Sequence, residues 1–441
     1  MKYIFTNIIV GILLMTSCSP DDIKMLDNSV NLEDITKIEL RADHKTLIPL
    51  EGLKMDFHVL AYSSKNFIKY STDEVGDTVY YKEETVADTF LIPADMIPEG
   101  FIKIYDENGN ELKDKSFSTT DPTISTLHFQ AKAGNLVSNV KDIQIRKIPQ
   151  EDYPEIVFPV IFHVIVPPAS AGPSYEVSSE DLQKKLDRMN DIFNRRVTTN
   201  PNGGNVKITF RLAEYDPKGL VLVEKGKDFV QLTEKLENQK AYEAYINQNL
   251  IWDPNKYLNI WLAKFTGSWS SSGSYTYVAK APTVILRGNS IPGIDAMAVD
   301  EFTAADVSTY SEIGLMINYS EFLAPNSFSS NTFEPATAMG LFLGLKKTKL
   351  TKNPTGPGYD NDYCADTYYY YDDSNVIYKS TSWDEDQEDP IEYFTSFNIM
   401  EDYSRKNSIT ADQASRIREV VDKCPSRWSY KSQWAFTGRT D

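Results

Sequence analysis

Histidine, the side chain best suited to metal binding and to proton transfer near neutral pH, is scarce in this chain of 441 residues. The four histidines are His44, His58, His128 and His163. No two of them lie four residues apart, which is the spacing that brings two ligands onto one helix face. His163 lies within an apolar run predicted to be a strand, so we expect a hydrogen-bonded core histidine. The histidines therefore predict neither a metal centre nor an acid–base pair.

Carboxylates are abundant, since 63 Asp and Glu against 45 Lys and Arg give a formal net charge of −18. This charge excludes nucleic acid as a partner and electrostatic adhesion to anionic lipid. The acidic run at residues 384–389 could hold calcium but lacks the spacing of a calcium loop, and we interpret it as solvated surface. Asp106, Asn108 and Asn110 lack the glycine of an EF-hand loop, and Asn108-Gly109 predicts a type I′ hairpin turn. Whether any calcium is bound stays open.

The segment at residues 331–347 (NTFEPATAMGLFLGLKK) has the spacing of a zinc-binding helix without its ligands. In the pattern H-E-x-x-H-x-x-G-x-x-H, three histidines bind zinc and the glutamate is the general base. With Gly344 at the glycine, the histidine positions hold Thr337, Leu341 and Lys347, and the glutamate position holds Ala338. A catalytic zinc needs three protein ligands, and an ammonium ~4 Å from a divalent cation is repelled by roughly 8 kcal/mol at an effective dielectric near 20. The segment therefore predicts a helix with neither zinc nor a catalytic base.

Segments on both sides of this helix resemble the pappalysin-like branch of the metzincin zinc metallopeptidases. Residues 153–166 (YPEIVFPVIFHVIV) are similar to the first strand of that fold, and residues 178–195 to its first helix. Residues 206–219 and 257–263 resemble later strands, and residues 397–403 (FNIMEDY) resemble the Met-turn below the metal, with Met400 as its methionine. The resemblance is closest to the zinc-dependent metalloproteinase lipoproteins of bacterial surfaces.

This resemblance implies an α+β metzincin-like domain in which Gly344 and Met400 keep structural roles. The family consists of zinc endopeptidases, but activity resides in a site and not in a fold. Because the ligand and base positions are replaced, we expect a non-catalytic protein without a cofactor that binds a protein or glycan. The alternative is an active zinc-dependent metalloendopeptidase that uses an unconventional site.

The N-terminus predicts export and lipidation. Lys2 precedes an apolar run at residues 3–15, which is too short to span a bilayer and is typical of a signal peptide. The run ends in LMTSC, which resembles a bacterial lipobox with Cys18 as the lipidated residue. The alternative is a signal peptide that is cleaved elsewhere. We expect an outer-membrane lipoprotein, exposed at the cell surface and attached through its acyl chains.

Cys364 and Cys424 are the cysteines that remain after Cys18. An even pair in an exported chain favours a disulfide. Similar bridges occur in pappalysin-like domains, so we expect Cys364 to pair with Cys424. The alternative is two isolated, buried thiols.

The length predicts at least two domains. We expect a signal peptide at residues 1–17, a lipidated tether at 18–30, an all-β immunoglobulin-like sandwich at 31–148 and the metzincin-like domain at 153–441. Short alternating runs separated by turn residues, for example residues 35–42, 55–61, 101–105, 127–131 and 140–146, favour the sandwich.

An aromatic segment between the helix and the Met-turn is the candidate binding surface. It contains Tyr368, Tyr369, Tyr370, Tyr371 and Trp383. Aromatic side chains offer large contact areas with a polar group at the tip, which suits glycan or peptide recognition. The alternative is that these side chains only pack a loop onto the core.

Overall fold

The computed structural model describes most of the chain in segments. These are residue 33 and residues 35–75, 78–148, 152–168, 176–264, 277–303, 306–323, 335–348, 362–367, 369–373, 376–380, 397–401 and 406–440. By their internal contacts these residues divide into two compact units. One comprises the described part of Met1–Leu40 with Val59–Lys103 and Ala131–Asn139, and the other Arg41–His58, Ile104–Gln130 and the described part of Val140–Asp441. The predicted domain boundaries stay a prediction.

The described residues before position 149 form strands, as the alternating runs predict. The strands are β1 (Ile35–Ala42), β2 (Thr46–Leu47), β3 (Met55–Val75), β4 (Thr78–Leu91), β5 (Lys103–Asp106), β6 (Ser116–Phe117), β7 (Thr126–Ala133) and β8 (Leu136–Ile145). One sheet has the order β1-β3-β4 with β6 also paired to β3, and another has the order β2-β8-β7-β5. The sequence did not predict β4 or the continuation of β3 beyond residue 61, where polar residues interrupt the apolar alternation.

The hairpin turn at Asn108-Gly109 is present, but its predicted type is wrong. A type I′ turn needs positive φ at both central residues, and of this pair Gly109 alone has it, at +83°. The N–H of Gly109 donates to the carbonyl of Asp106 at 3.0 Å, and the carboxylate of Asp106 accepts from the backbone of Asn108 and Asn110. This carboxylate fixes a turn centred on Glu107 and Asn108, which leaves Gly109 to take the left-handed conformation.

The described residues after position 152 form a mixed α/β structure, which confirms the coarse fold prediction. Their strands are β9 (Ile156–Val166), β10 (Ile208–Leu212), β11 (Lys227–Gln231), β12 (Leu258–Ala263), β13 (Tyr277–Val278), β14 (Val284–Leu286), β15 (Met297–Val299), β16 (Gly314–Asn318), β17 (Tyr369–Asp373) and β18 (Val376–Ser380). Their α-helices are α1 (Ser179–Phe193), α2 (Gln239–Asn249), α3 (Tyr319–Leu323), α4 (Pro335–Phe342), α5 (Ala411–Lys423) and α6 (Trp434–Thr437). Short 3₁₀ helices lie at Ala94–Met96, Tyr310–Glu312 and Pro425–Lys431.

The main sheet is built around β9. Its order is β10-β9-β12-β16-β13, with β11 following β10 along the same side of β9. All these strands are parallel except β13, which is antiparallel to β16. From Phe158 to Val166 every residue of β9 is buried, because a central parallel strand is covered on both faces. None of the helices in the described residues is both long and apolar enough to cross a membrane.

Two helices pack on this sheet, and each begins with a capping box. Ser178 and Asp181 form a capping box at the start of α1, and Thr410 and Gln413 form another at the start of α5. The apolar stripe of α1 is buried, as its spacing predicts, through Leu182, Leu186, Met189 and Phe193. These side chains share one core with β9, β10, β12, α4 and α5.

A partly buried ion-pair cluster holds the residue after β8 against the start of α5. We call Arg146, Asp366, Thr410 and Asp412 the Asp366 cluster. Arg146 donates from Nη1 to Asp366 Oδ2 at 2.5 Å and from Nη2 to Asp412. Thr410 Oγ1 donates to Asp366 Oδ1 at 2.6 Å, and the backbone N–H of Asp412 donates to Asp366 Oδ2 at 2.9 Å. Through the Asp366 carboxylate, the cluster joins its own segment to two others that are far away in sequence.

Replacing Arg146 with Met should lower the free energy of unfolding by about 3 kcal/mol, because it leaves the buried Asp366 carboxylate without its cation. Urea denaturation checks this. The matched control is Lys147→Met, which removes an exposed cation next in sequence and should change stability by no more than about 0.5 kcal/mol. Equal losses in both variants would contradict the role given to Arg146.

The stability of the fold should depend on pH through Asp366. Burial, and then repulsion from Asp412, raise the pKa of Asp366 from 3.8 to about 6. A raised pKa in the folded state means that the folded chain binds the proton more tightly than the unfolded chain does. The stabilisation from this bound proton is therefore present below about pH 4 and is lost as the pH rises to about 6. The free energy of unfolding of the wild type, measured relative to Asp366→Asn, should therefore fall across this window. A difference that is constant or rises with pH would contradict the prediction.

Candidate functional site

Helix α4 contains most of the positions aligned with the zinc pattern and ends as that pattern requires. After Phe342 the chain turns through Gly344, whose φ is +86°. The N–H of Leu345 donates to the carbonyl of Gly340 at 2.8 Å. A Cβ on Gly344 would lie 2.6 Å from Val420 Cγ2, so both the left-handed backbone and the close approach of α5 require glycine.

The residues at the positions aligned with zinc ligands are buried or partly buried. Thr337 is buried, and its Oγ1 donates to the backbone carbonyl of Ile399 at 2.7 Å. Ala338, at the position of the general base, is fully buried. Leu341 packs against the core, while Lys347 is partly buried. The Thr337 hydroxyl is therefore occupied by a backbone contact.

The turn that contains Met400 lies directly against α4. Met400 is fully buried, and its N–H donates to Asn398 Oδ1 at 2.8 Å. A Cβ added to Gly340 would lie 3.0 Å from Met400 Sδ and 3.3 Å from Ile399 Cδ1. The helix and the turn are thus in van der Waals contact at Gly340, next to the Thr337 hydrogen bond.

Two buried arginines hold the carbonyl end of α4. Arg427 Nε donates to the Phe342 carbonyl at 2.9 Å, and its guanidinium stacks 3.5 Å from the centroid of the Phe342 ring. Arg416 Nε donates to the Gly344 carbonyl at 2.8 Å. Burial lowers the pKa of Arg427 to about 9. Carbonyls at a helix end need such donors. The sequence did not reveal these two residues, because nothing local distinguishes them from surface arginines.

His163 is a hydrogen-bonded core histidine, as expected. It is fully buried in β9, with Nδ1 2.8 Å from Asp228 Oδ2 and Nε2 2.9 Å from Asn259 Oδ1. The amide nitrogen of Asn259 donates to the carbonyls of Trp252 and Tyr257, so its oxygen faces His163, and Nε2 must be the donor. Both ring nitrogens are engaged, which leaves neither for a metal. The sequence gave no signal for Asp228 or Asn259, since both partners come from other strands.

The other histidines have separate partners. His44 Nδ1 accepts from the backbone of Thr46, His58 Nε2 lies 2.6 Å from Asp43, and His128 Nδ1 lies 2.7 Å from Asp142. Within the described segments, no group of three His, Cys, Asp or Glu side chains is arranged to hold a metal ion. The acidic run at residues 384–389 lies outside the described residues.

The predicted Cys364–Cys424 disulfide is not formed. Both residues are buried free thiols. Cys364 Sγ lies 3.5 Å from the carbonyl of Asp362, whereas Cys424 packs with Ile285, Ile291 and Val420. Burial raises the pKa of both thiols, that of Cys424 to about 11. These different surroundings correspond to the alternative of two isolated thiols, which spacing in the sequence cannot distinguish from a bridge.

The remaining predicted site residues are only partly within the described chain. Cys18, Tyr368 and Trp383 lie outside the described residues. The backbone of Tyr369–Asp373 forms β17, which is antiparallel to β18, with Tyr371 opposite Tyr378. Their role as a binding surface stays a prediction.

Comparisons with known proteins give a distant likeness to solved structures. No protein-family model and no curated protein matches this sequence. The chain is similar to a solved structure of a promirolysin variant from Tannerella forsythia, with 19% sequence identity and a TM-score of 0.42. The match covers 65% of this chain and 87% of that chain. At this level of similarity, function has to be argued from the residues of the site.

Replacing Thr337 with Val should lower the free energy of unfolding by about 1–2 kcal/mol, because the isosteric change removes the donor to the buried Ile399 carbonyl. The matched control is Thr348→Val. Thr348 is also fully buried, but its hydroxyl has no hydrogen-bond partner among the described residues, so its removal should be neutral or stabilising. Thermal or urea denaturation distinguishes the two variants, and an equal effect would contradict the structural role of the Thr337 hydroxyl.

Proposed function

We propose that this chain is a non-catalytic relative of the pappalysin-like metzincin metallopeptidases and acts as a binding protein. The proposal rests on the Thr337 hydroxyl, which is bonded to the Ile399 carbonyl at the position aligned with the first zinc-binding histidine. A serine or threonine hydroxyl is a poor zinc ligand compared with imidazole or thiolate. At the aligned base position, the methyl group of Ala338 can neither accept a proton from water nor hold it.

The packing of α4 supports the same proposal. Ala336, Ala338, Met339, Phe342 and Leu343 are buried in one core with Ile399 and Met400. Burial of apolar side chains contributes roughly 1.5–3 kcal/mol for each large residue, so the helix has a stabilising role that needs no metal. The helix is thus explained as a structural element of the core.

We further propose that the protein is an outer-membrane lipoprotein, anchored through Cys18 and exposed at the cell surface. The lipobox-like LMTSC and the apolar run before it support this location. An immunoglobulin-like spacer at residues 31–148 would carry the C-terminal domain away from the membrane, and the two β-sheets in this part are compatible with it. The ligand we propose is a protein or glycan, with the tyrosines at residues 368–371 and Trp383 as candidate contacts.

Zinc content separates this proposal from the alternative of an active metalloendopeptidase. The chain with Cys18→Ser, which prevents lipidation, is incubated with equimolar zinc, desalted and measured by mass spectrometry of the metal. We expect far less than one zinc per chain, and no cleavage of gelatin or casein. Stoichiometric zinc together with cleavage that a chelator abolishes would establish the enzyme instead.

A further inference from the structure

A second surface, separate from α4, has the form of a binding site. A half-open cleft of about 750 Å³ lies at the start of β9, between that strand, α5 and the C-terminal residues. Val157 of β9 and Glu155, directly before the strand, line one side of it, and Arg418, Tyr430 and Phe436 line its walls. Its volume lies within the ~300–1,000 Å³ range of ligand sites in proteins. We call it the β9 cleft.

On one side of β9, no described strand pairs with the residues that line this cleft. The N–H of Ile156 donates to Lys207, and the carbonyl of Val160 accepts from Ala213, so the even-numbered residues direct their backbone groups towards the β10 side. In a strand the alternate residues point the other way, which directs the N–H and C=O of Val157 to the β12 side. There the first paired residues are Leu258 and Val160. Among the described strands, none pairs with β9 on that side before Val160.

The open stretch is short and has a defined end. Pro159 has no N–H, so a strand added at Glu155 and Val157 cannot gain a donor from residue 159. Val157 is 37% exposed, so the strand is accessible at this point. An unpaired row of backbone groups is the feature by which sheets take up additional strands.

The walls of the cleft carry both charges and aromatic rings. Arg418 lies 4.9 Å from the centroid of Tyr153 and donates to the Pro154 carbonyl at 3.0 Å, while Arg211 lies 4.3 Å from the centroid of Phe436. Carboxylates line the same cleft at Glu155, Glu419 and Asp422. This balance of two cations and three anions does not favour a strongly anionic ligand such as nucleic acid. It fits a polypeptide that carries both charge types, for which the rings supply apolar contact.

We propose that the β9 cleft binds an extended segment of another polypeptide, which pairs with the open side of β9 at Val157 and with Glu155 directly before it. The segment forms backbone hydrogen bonds with Val157 and packs its alternate side chains against Tyr430 and Phe436. This site is independent of α4, so it holds for a catalytic and for a non-catalytic protein, and the zinc measurement does not bear on it.

The test uses the full-length protein and a fluorescein-labelled, capped octapeptide, Ser-Lys-Thr-Tyr-Thr-Val-Glu-Thr, with binding followed by fluorescence anisotropy. Val157→Pro removes the N–H that faces the cleft and should weaken binding about tenfold, which is the loss expected for one or two backbone hydrogen bonds. The matched control, Val157→Thr, keeps the backbone and should bind within about twofold of the wild type. Circular dichroism establishes that both variants are folded. Absence of peptide binding to the wild type, or equal binding by the two variants, overturns the proposal.

A second measurement leaves the protein unchanged. Two versions of the octapeptide are N-methylated at alternate amides, one at the odd and one at the even positions. A strand that pairs on one side uses one set of amides, so one version should lose binding and the other should retain it. Equal loss in both versions, or retention by both, overturns strand pairing. Binding of a neutral hexasaccharide that competes with the peptide would assign the cleft to a glycan and likewise overturn it.

Discussion

The contact between α4 and the turn at residues 397–401 is the constraint on which the functional interpretation depends. In this contact the Thr337 hydroxyl bonds to the Ile399 carbonyl, and Gly340 allows Met400 to approach the helix. A zinc site at the same place would need imidazoles directed at a common point with an open position for water. The observed contact consists of the Thr337 hydrogen bond and of apolar packing between the helix and the turn.

The backbone carbonyls at the end of this short helix need hydrogen-bond donors as well. The eight residues of α4 leave carbonyls at its end without partners inside the helix. Arg427 and Arg416 supply donors to Phe342 and Gly344 from the C-terminal segment, and Arg427 stacks on Phe342 as well. A buried guanidinium is costly unless it is hydrogen-bonded. Arg427 reaches the backbone carbonyls of Phe342, Glu312 and Lys280, so one cation links the helix end to two other segments.

Local patterns in the sequence predicted the elements but not the contacts between them. The capping residues Ser178 and Thr410 and the apolar stripe of α1 determine structure within a few residues, and both helices begin where these residues indicate. The ion pair between Arg146 and Asp366 joins residues 220 positions apart, and no spacing rule indicates it. The same limit applies to His163. Its burial could be predicted from its apolar neighbours, but its partners Asp228 and Asn259 could not be predicted. This limit also explains why the predicted disulfide is wrong. Two cysteines can form a bridge only when they lie close in space, and their separation in the sequence does not give that distance.

The residues that carry the family resemblance are those that packing explains. Gly344 is needed because its φ is positive and because α5 approaches to where a Cβ would collide with Val420. Met400 packs beside Gly340, where an added Cβ would lie 3.0 Å from the Met400 sulfur. Neither requirement involves a metal, so both residues have a structural role whether or not the chain is catalytic. The positions that would perform chemistry, in contrast, hold Thr337, Ala338, Leu341 and Lys347, which have no common chemical function. This contrast is what the proposed non-catalytic function predicts, because a fold can persist where the residues of a catalytic site do not.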